Sequence, residues 1–578
     1  MKVEREKELE KFTKAEEAYD FQLTLDKIIK HAAREHPTSE VVYRDMVRET
    51  YAEAFERIQK LANALESLGI EPNCLTRVGA ADWNTHRYFE MYYGIPCMGN
   101  VMHSMNQLLP PEQLLWTINH AEDRVLIFNK DILPLIEKFS PELKTVERYV
   151  ICTDDGILPD TKLEPVYEYE ELLKGASSKY DFPELDENTP AGLNYTTGTT
   201  GLPKGCWFTH RAMVLHAIGE QFNARWIPEA LDQRFTILFV LTPMFHSFAW
   251  EVPYIATALG SKLLLDGRHD PVVDMEMVKR ERTPIDRPIF ICGVSRFLME
   301  LIDHPKFKEY KEYFKDAGYI VGGTMFPEGL ARRAEEAGLC VASGMGMTET
   351  CPGMIGAAYK YYMYDWPDEK KFRYRLRTGY CDTPLCEVKV ANSDTLEEVP
   401  KDDKSYGEML FRSVWATMGY FKDPERSKEL WRGGWLHGDD LCIWDEDRSI
   451  FIVDRTKDVI KSGGEWISTR TLESVISTHP KVQSAAVVGV PHPEWDERPI
   501  ALIIPKEEYK GKITEEELKE HLVKYAEKGE ILKWWIPEKF FFEEIPMTSA
   551  GKIDKKVIRA DYKDVLHKKE VKNERKCE

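Results

Sequence analysis

Four short apolar runs between residues 235 and 323 constrain this chain more than any other feature. Phe235–Leu241, Leu263–Asp266 (LLLD), Phe290–Gly293 (FICG) and Tyr319–Gly323 (YIVGG) read as buried strands, the last two closing on glycine. Nearer the start, VVYRD at Val41 and VLIF at Val125–Phe128 read the same way. Helical spacing fills the intervals: Phe55, Ile58, Leu61, Leu65 and Leu68 repeat at three and four residues until Gly69 stops them, and DILPLIEKF follows suit. Strands alternating with helices imply an α/β layer architecture with largely parallel sheets. Ligands in such sheets sit beyond the carboxyl ends of the strands. A further small-residue stretch, SGMGMTET at Ser343–Thr350, follows the last of these runs, so one crevice that admits a nucleotide is expected.

The segment Tyr195–Gly205, YTTGTTGLPKG, has little side-chain bulk, many exposed backbone N–H groups and a cation at Lys204. Those properties suit a loop that wraps an anion, because N–H dipoles in a tight turn converge on phosphate oxygens. It is no Walker loop, since Pro203 precedes Lys204 and neither Ser nor Thr follows. Taken alone, a plain Thr/Gly turn is the competing reading.

At 578 residues the chain is too long for one core, and 43% hydrophobic with 11% aromatic residues is ample for burial. A net charge of −20 argues against binding nucleic acid or anionic membranes, but an ATP site needs only a local positive patch. The eleven cysteines are scattered without zinc-ligand spacing and read as reduced thiols of a cytoplasmic protein. MKVEREKELEK does not read as a signal peptide. Residues 235–260 are mostly apolar, but Pro243, His246, Glu251 and Pro253 interrupt them. A strand, a loop and a core helix are expected there rather than a transmembrane segment.

After Thr350 the character changes. Residues 360–377 are aromatic and charged and read as a surface or interface segment. GYF at Gly419–Phe421 leads to GGWLHGDD, and Val453–Ser468 carries Arg455, Lys457 and Lys461 around a turn and a Gly-Gly pair. From about residue 458 a small α/β domain is expected, with strands at Ala485–Val490 and Ala501–Pro505 and a helix in EEELKEHLVKYAE. It closes on Lys552 in a Ser-Ala-Gly turn.

Taken in order, YTTGTTGLPKG at 195, PMFHSFAW at 243, VGG at 321, GMGMTET at 344, GD at 438, DRTKDVIKSGGEWIS at 454 and TSAGK at 548 resemble one family. The chain is similar to the adenylate-forming superfamily of acyl-CoA synthetases, luciferases and peptide-synthetase adenylation domains, and within it to medium- and long-chain fatty-acid–CoA ligases. The resemblance runs from roughly residue 20 to 565. It implies an α/β fold with a large N-terminal domain of layered, largely parallel sheets (1–454). A small mobile C-terminal α/β domain (455–578) would turn about a hinge near Lys457. It implies a two-step reaction in which a carboxylate attacks the α-phosphate of ATP to give acyl-AMP and pyrophosphate, and CoA thiol then displaces AMP. Both reactants of the first step are anions, so cations and N–H donors must be fixed where charge builds up.

The resemblance also assigns roles. Thr196, Thr197, Gly198, Thr199, Thr200, Gly201 and Lys204 would hold the phosphates, and Glu349 with Thr196 would hold Mg²⁺. Gly323, Thr324, Met325, Gly344, Met345 and Thr348 would shape the adenine and α-phosphate site, while Asp439 and Arg455 would hold the ribose. Lys552 would bridge carboxylate and α-phosphate, and Lys461, Gly463, Gly464 and Trp466 would serve the CoA step. The acid would lie along His246, Phe248, Trp250, Arg296 and Gly323, with Trp250 as gate. A His between two phenylalanines otherwise reads as packing. Three departures from the family's pattern stand out: Met345 at the adenine-stacking position, Arg296 in GVSR, and Phe248 where a smaller polar residue is common. Arg296 reads either as recognising a second polar group on the acid or as an outward, salt-bridged residue. The alternatives are an adenylating enzyme for another acid class or acceptor, and a nucleotide-binding homologue without catalysis. A homodimer is the expected assembly.

Overall fold

The structure is a computed structural model. It describes residues 8, 11–196, 202–223, 237–283, 287–323, 326–351, 353, 355–455, 458–463, 465–547 and 553–566. Its strands form sheets of eight, seven, four and five members. In the eight-stranded sheet, Ile237–Val240 lies between Lys262–Leu265 and Ile289–Gly293, and Gly318–Val321 and Cys340–Met345 continue outward. All of these pair in parallel, so their carboxyl ends share one edge. The strands alternate faces as the pleat demands. Ile289, Ile291, Tyr319, Val321 and Val341 join one apolar cluster, whereas Phe290, Cys292, Ile320 and Ala342 join the other. Of the run expected at 235–241, residues 237–240 form the strand, and Phe235 and Thr236 lie outside the described residues.

Glu40–Tyr43 and Val47–Thr50 close the eight-stranded sheet, while the seven-stranded sheet holds the strands from Arg77–Ala81 to Val166–Glu168 and ends with Pro190–Tyr195 beside Gly205–Thr209. The helix Tyr51–Ser67 starts at a capping box between Thr50 and Glu53 and buries Ile58, Leu61 and Leu65. Gly69 follows it at φ 83°, a left-handed position open to glycine without strain. The aromatic stretch after residue 360 is a 3-10 turn, Tyr361–Asp365, and a helix, Asp368–Leu376.

A four-stranded antiparallel sheet carries Leu436–Trp444 and Ile450–Arg455. The C-terminal domain is a separate five-stranded sheet whose long pair, Val482–His492 and Asp496–Pro505, covers both strands expected there. Its helix Glu515–Glu527 opens on a capping box between Thr514 and Glu517. The domain touches the larger one where Glu328 N–H donates to Ser474 Oγ (3.5 Å) and Gly329 N–H to Ser477 Oγ (3.4 Å).

One expectation is corrected. Cys381 and Cys386 are disulfide-bonded, whereas eight other described cysteines are free. The two residues flank the turn DTPL, which folds their side chains together. Among the described residues, no helix is long and apolar enough to cross a membrane.

Candidate active site

The Thr/Gly loop is the connection of a β-hairpin, Pro190–Tyr195 with Gly205–Thr209, in register at Tyr195 opposite Gly205. Its neck is closed by Thr196 N–H donating to Lys204 C=O (2.9 Å) and Lys204 N–H donating to Thr196 Oγ (3.2 Å). Lys204 Nζ then donates to the Tyr420 hydroxyl (2.9 Å), which itself donates to Glu349 Oε1 (2.8 Å). Cation, phenol and carboxylate thus form one directed chain. Tyr420 is brought there because Phe421 N–H binds Gly205 C=O (2.7 Å) and Thr417 N–H binds Glu349 C=O (2.8 Å). Burial, then the neighbouring Glu349 charge, raises the Tyr420 phenol far above its ordinary pKa, so it stays a donor.

A second junction ties the same hairpin to the segment after residue 243. Asn194 Oδ1 accepts from Ser247 N–H (3.1 Å), and Ser247 Oγ lies 3.3 Å from Thr348 Oγ1. Ser247, Phe248, Ala249, Trp250 and Glu251 all have φ between 49° and 57°, so five consecutive non-glycine residues make a left-handed turn. His246 precedes this turn, half-buried, and the helix Val252–Leu259 follows it.

Beside this turn is a cavity of about 80 Å³ on one face of the eight-stranded sheet. Its walls include Leu238, Phe290 and Ile320 from the strands and Ile255 from the covering helix. Gly323, Gly344, Met345 and Trp250 line it too. A Cβ on Gly322 would sit 2.9 Å from the Trp250 ring, so the indole lies directly on that strand end.

Three residues expected at the acid site are not on this cavity. Phe248 is fully buried in the core. A Cβ on Gly192 would be 2.6 Å from its ring tip, and its ring meets those of Tyr92 (5.8 Å) and Phe208 (6.3 Å). A left-handed turn points successive side chains differently from a strand or right-handed helix, and this one sends Phe248 inward. Arg296 is on the helix Ser295–Ile302, exposed, with Nε 2.7 Å from Glu300 Oε1 one turn on. The outward, salt-bridged reading is the one observed. His246 is likewise not among the lining residues.

Asp439 is exposed at a bulge in Leu436–Trp444, with φ 55° and its N–H on Glu408 Oε1 (3.3 Å). Arg455 lies across the pair of strands, its Nε 3.6 Å from Asp440 Oδ1. Gly438 links this sheet to the GMGMTET segment, because a Cβ there would be 3.6 Å from Met347 Sδ. In the C-terminal domain Lys461 and Trp466 are cross-strand partners of a short hairpin, both exposed, and Lys461 N–H donates to Glu497 Oε2 (3.0 Å). Gly463, at φ 59°, makes its turn. Thr197, Gly198, Thr199, Thr200, Gly201, Thr324, Met325, Lys457, Gly464 and Lys552 lie outside the described residues.

Comparison with known proteins decides what this arrangement is. The family model for AMP-binding enzymes matches residues 29–421, and that for the AMP-binding enzyme C-terminal domain matches 471–552. The chain belongs to the AMP-binding enzyme family. Among curated proteins it is 37% identical over 560 residues to a long-chain-fatty-acid–CoA ligase of Thermus thermophilus, covering 94% of this chain and 96% of the relative. It is 32% identical over 558 residues to a 3-methylmercaptopropionyl-CoA ligase of Ruegeria pomeroyi, covering 94% and 98%. The fold matches the crystal structure of the anthranilate CoA ligase AuaEII in complex with anthranoyl-AMP, with a TM-score of 0.80 at 22% identity over 95% of this chain and 99% of that one.

Sequence reasoning gave no role to two parts of this AMP-binding enzyme's site. Tyr420 was visible only as part of GYF, and nothing local says that its hydroxyl spans Lys204 and Glu349 across 216 and 71 residues. The second part is a buried polar group behind the cavity. Glu251 is fully buried; its Oε2 is 2.8 Å from His216 Nδ1, and its Oε1 accepts from the Cys351 thiol (2.9 Å). Burial pushes the Glu251 carboxyl up, opposed by His216. On the other side, His216 Nε2 is 3.8 Å from Oε1 of Glu220, a cavity wall residue. Gly353, at φ 137°, packs on both, and a Cβ there would be 2.6 Å from His216 Nε2. The only sequence signal was an acid inside an otherwise apolar stretch.

Glu349 carboxylate and Thr196 hydroxyl are hard oxygen donors, and the Lys204–Tyr420 link joins them in one site.

Proposed function

We propose that this AMP-forming acid–CoA ligase activates an apolar monocarboxylic acid, of the medium- to long-chain fatty class that the resemblance implies, through an acyl-adenylate. The observation that carries this reading is the cavity between Met345 and Ile255, with Trp250 against Gly322. Its walls are supplied by Leu238, Phe290 and Ile320 of the strands and Ile255 of the covering helix, which suits an acyl tail. Its walls are mostly apolar. The carboxylate of Glu220 on the wall would repel a second acid group, and Arg296 is engaged with Glu300, so dicarboxylic acids are disfavoured. The curated relatives take acids as different as a long-chain fatty acid and 3-methylmercaptopropionate, so the acid must be argued from the cavity.

In this reading the hairpin loop from Thr196 to Lys204 holds the β- and γ-phosphates, with Glu349 and Thr196 on Mg²⁺, which would offset the phosphate charge. Gly344, Met345 and Thr348 border the adenine and α-phosphate, and Asp439 and Arg455 take the ribose. Thr324 and Met325 extend the adenine pocket from Gly323, and His246 sits at the mouth of the acid passage. Lys552 bridges the attacking carboxylate and the α-phosphate. For thioester formation the C-terminal domain, 455–578, turns at Lys457 and brings Lys461 and Trp466 to the nucleotide and CoA. A cytoplasmic homodimer is the assembly that the resemblance carries.

The test is CoA-dependent AMP release over straight-chain acids from acetate to palmitate, with a dicarboxylic series beside them. Expected is a peak among the straight-chain monocarboxylic acids beyond butyrate, with the dicarboxylic series turned over poorly. Trp250→Ala moves that peak to longer chains. A parent enzyme that prefers acetate, or one that prefers dicarboxylic acids, overturns the reading.

A further inference from the structure

Away from the nucleotide site, three side chains converge, and the atoms they turn towards one another carry no hydrogen bond among the described residues. Asp266 ends the strand Lys262–Leu265, His269 lies in the turn that follows, and Asp274 is on the helix Pro271–Glu281. Both aspartates are fully buried. Asp266 Oδ2, His269 Nδ1 and both oxygens of Asp274 have no hydrogen-bond partner among the described residues. Nevertheless His269 Nδ1 is 3.1 Å from Asp274 Oδ2 and 3.7 Å from Asp266 Oδ2, and one ligand atom from each residue lies within 4.8 Å of the others. Two buried carboxylates this close repel strongly unless a cation stands among them, either a protonated His269 or a bound metal ion.

The outer contacts are those that aim ligands. His269 Nε2 is 3.1 Å from Glu300 Oε2, which leaves Nδ1 as the atom facing the aspartates. The Phe297 ring, 4.0 Å from that of His269, holds the imidazole plane. Asn84 Nδ2 donates to Asp266 Oδ1 (2.9 Å), which turns Oδ2 inward. A carboxylate behind a histidine ligand is the usual way a protein fixes tautomer and ring orientation at a metal.

We infer that Asp266, His269 and Asp274 bind one divalent transition-metal cation of the zinc type, with a structural role. For metal–ligand bonds of about 2.0–2.1 Å at the tetrahedral angle, ligand atoms lie ~3.3–3.4 Å apart, and the two imidazole–carboxylate separations bracket that value. One nitrogen and two carboxylate oxygens suit Zn²⁺ or Mn²⁺. Position gives the ion its purpose. Asn84 also donates to Val240 C=O (3.0 Å) and Thr242 C=O (3.2 Å), and its Oδ1 accepts from Met244 N–H (2.8 Å). The ion would therefore brace the segment that leads into the left-handed turn.

The full-length protein, without ATP, is stripped with EDTA and equilibrated with ZnCl₂ or, separately, MnCl₂. It is then desalted, and metal is counted by inductively coupled plasma spectrometry beside a thermal melt. Wild type is expected to retain about one ion per chain from at least one salt and to melt higher with it. Glu300→Gln leaves all three ligands in place and should weaken retention about 10–100-fold. Asp274→Asn should abolish it, and Glu349→Gln, at the nucleotide site, should retain it. If neither salt leaves an ion on the wild type, or if Glu300→Gln and Asp274→Asn hold as much as wild type does, the inference fails. The residues would then be an imidazolium shared by two carboxylates.

Discussion

At Tyr420 a single phenolic oxygen stands between Lys204 and Glu349, accepting from one and donating to the other. The direction of both bonds follows from chemistry: an ammonium has only donors, a carboxylate only acceptors, and a hydroxyl supplies one of each. Removing that hydroxyl leaves two charged groups of the proposed phosphate and metal site without the atom that spaces them. Hydrogen bonds to charged groups contribute about 1.5–3 kcal/mol. Tyr420→Phe is therefore expected to lower kcat/KM for ATP about 10–100-fold in pyrophosphate exchange, with the thermal melt nearly unchanged. A variant as active as its parent would show that the phenol only packs. The same residue marks where reading a sequence stops. The hydroxyl and glycine positions of the loop, and the Glu of GMGMTET, carry their chemistry in their own neighbourhood. Tyr420 gains its role only from the docking of 417–421 against the hairpin and Glu349, which no local pattern encodes.

At the scale of elements, Trp250 and Gly322 are one device made of two segments. A Cβ on Gly322 meets the far edge of the indole at 2.9 Å, so Gly322→Ala should push Trp250 off the strand end. Overpacking of this kind destabilises by about 1–3 kcal/mol. The variant is expected to lose activity on short acids more than on long ones, and Trp250→Ala should cancel most of the effect of Gly322→Ala. A double-mutant cycle checks this; a coupling energy near zero would separate the two residues. Strands and helices of this region were readable because period-two and helical spacing are local signals, and Leu263–Leu265, Phe290–Gly293 and Tyr319–Val321 fall within the strands observed. The turn at Ser247–Glu251 was not. Its residues carry no glycine to announce positive φ, so Phe248 was expected toward the acid and is found in the core. Arg296 shows the complementary case: helical spacing to Glu300 was present in the sequence, and it decides the outcome.

Across the whole molecule, the C-terminal domain rests on the helix Glu328–Glu336 through backbone-close contacts. A Cβ on Gly329 would stand 2.1 Å from Ser477 C=O, closer than any packed atoms can be. Gly329→Ala is thus incompatible with this docking while leaving both domain cores intact. Two-step enzymes with a moving domain depend on the relative population of their poses. Pyrophosphate exchange and CoA-dependent turnover, measured side by side, should respond unequally, by about tenfold in their ratio, as expected when a pose shifts by about 1.4 kcal/mol. Equal changes in both would mean that this contact belongs to neither working pose. A separate C-terminal α/β domain was legible in the strand pair at 485–505 and the helix after it. The way the domains meet depends on Gly329 and Ser477, which carry no such signal.

The left-handed turn has a practical meaning for anyone who wishes to retune this catalyst for another acid. For L-residues that conformation costs roughly 1–2 kcal/mol per residue, and five occur in succession. Such a spring stays wound only because Glu251 at its end is anchored in the interior by His216 and Cys351. Libraries that randomise Trp250 alone explore the gate with the spring intact. Those that also vary Glu251, His216 or Cys351 release it, and pocket shape, specificity and folding then change together rather than one at a time.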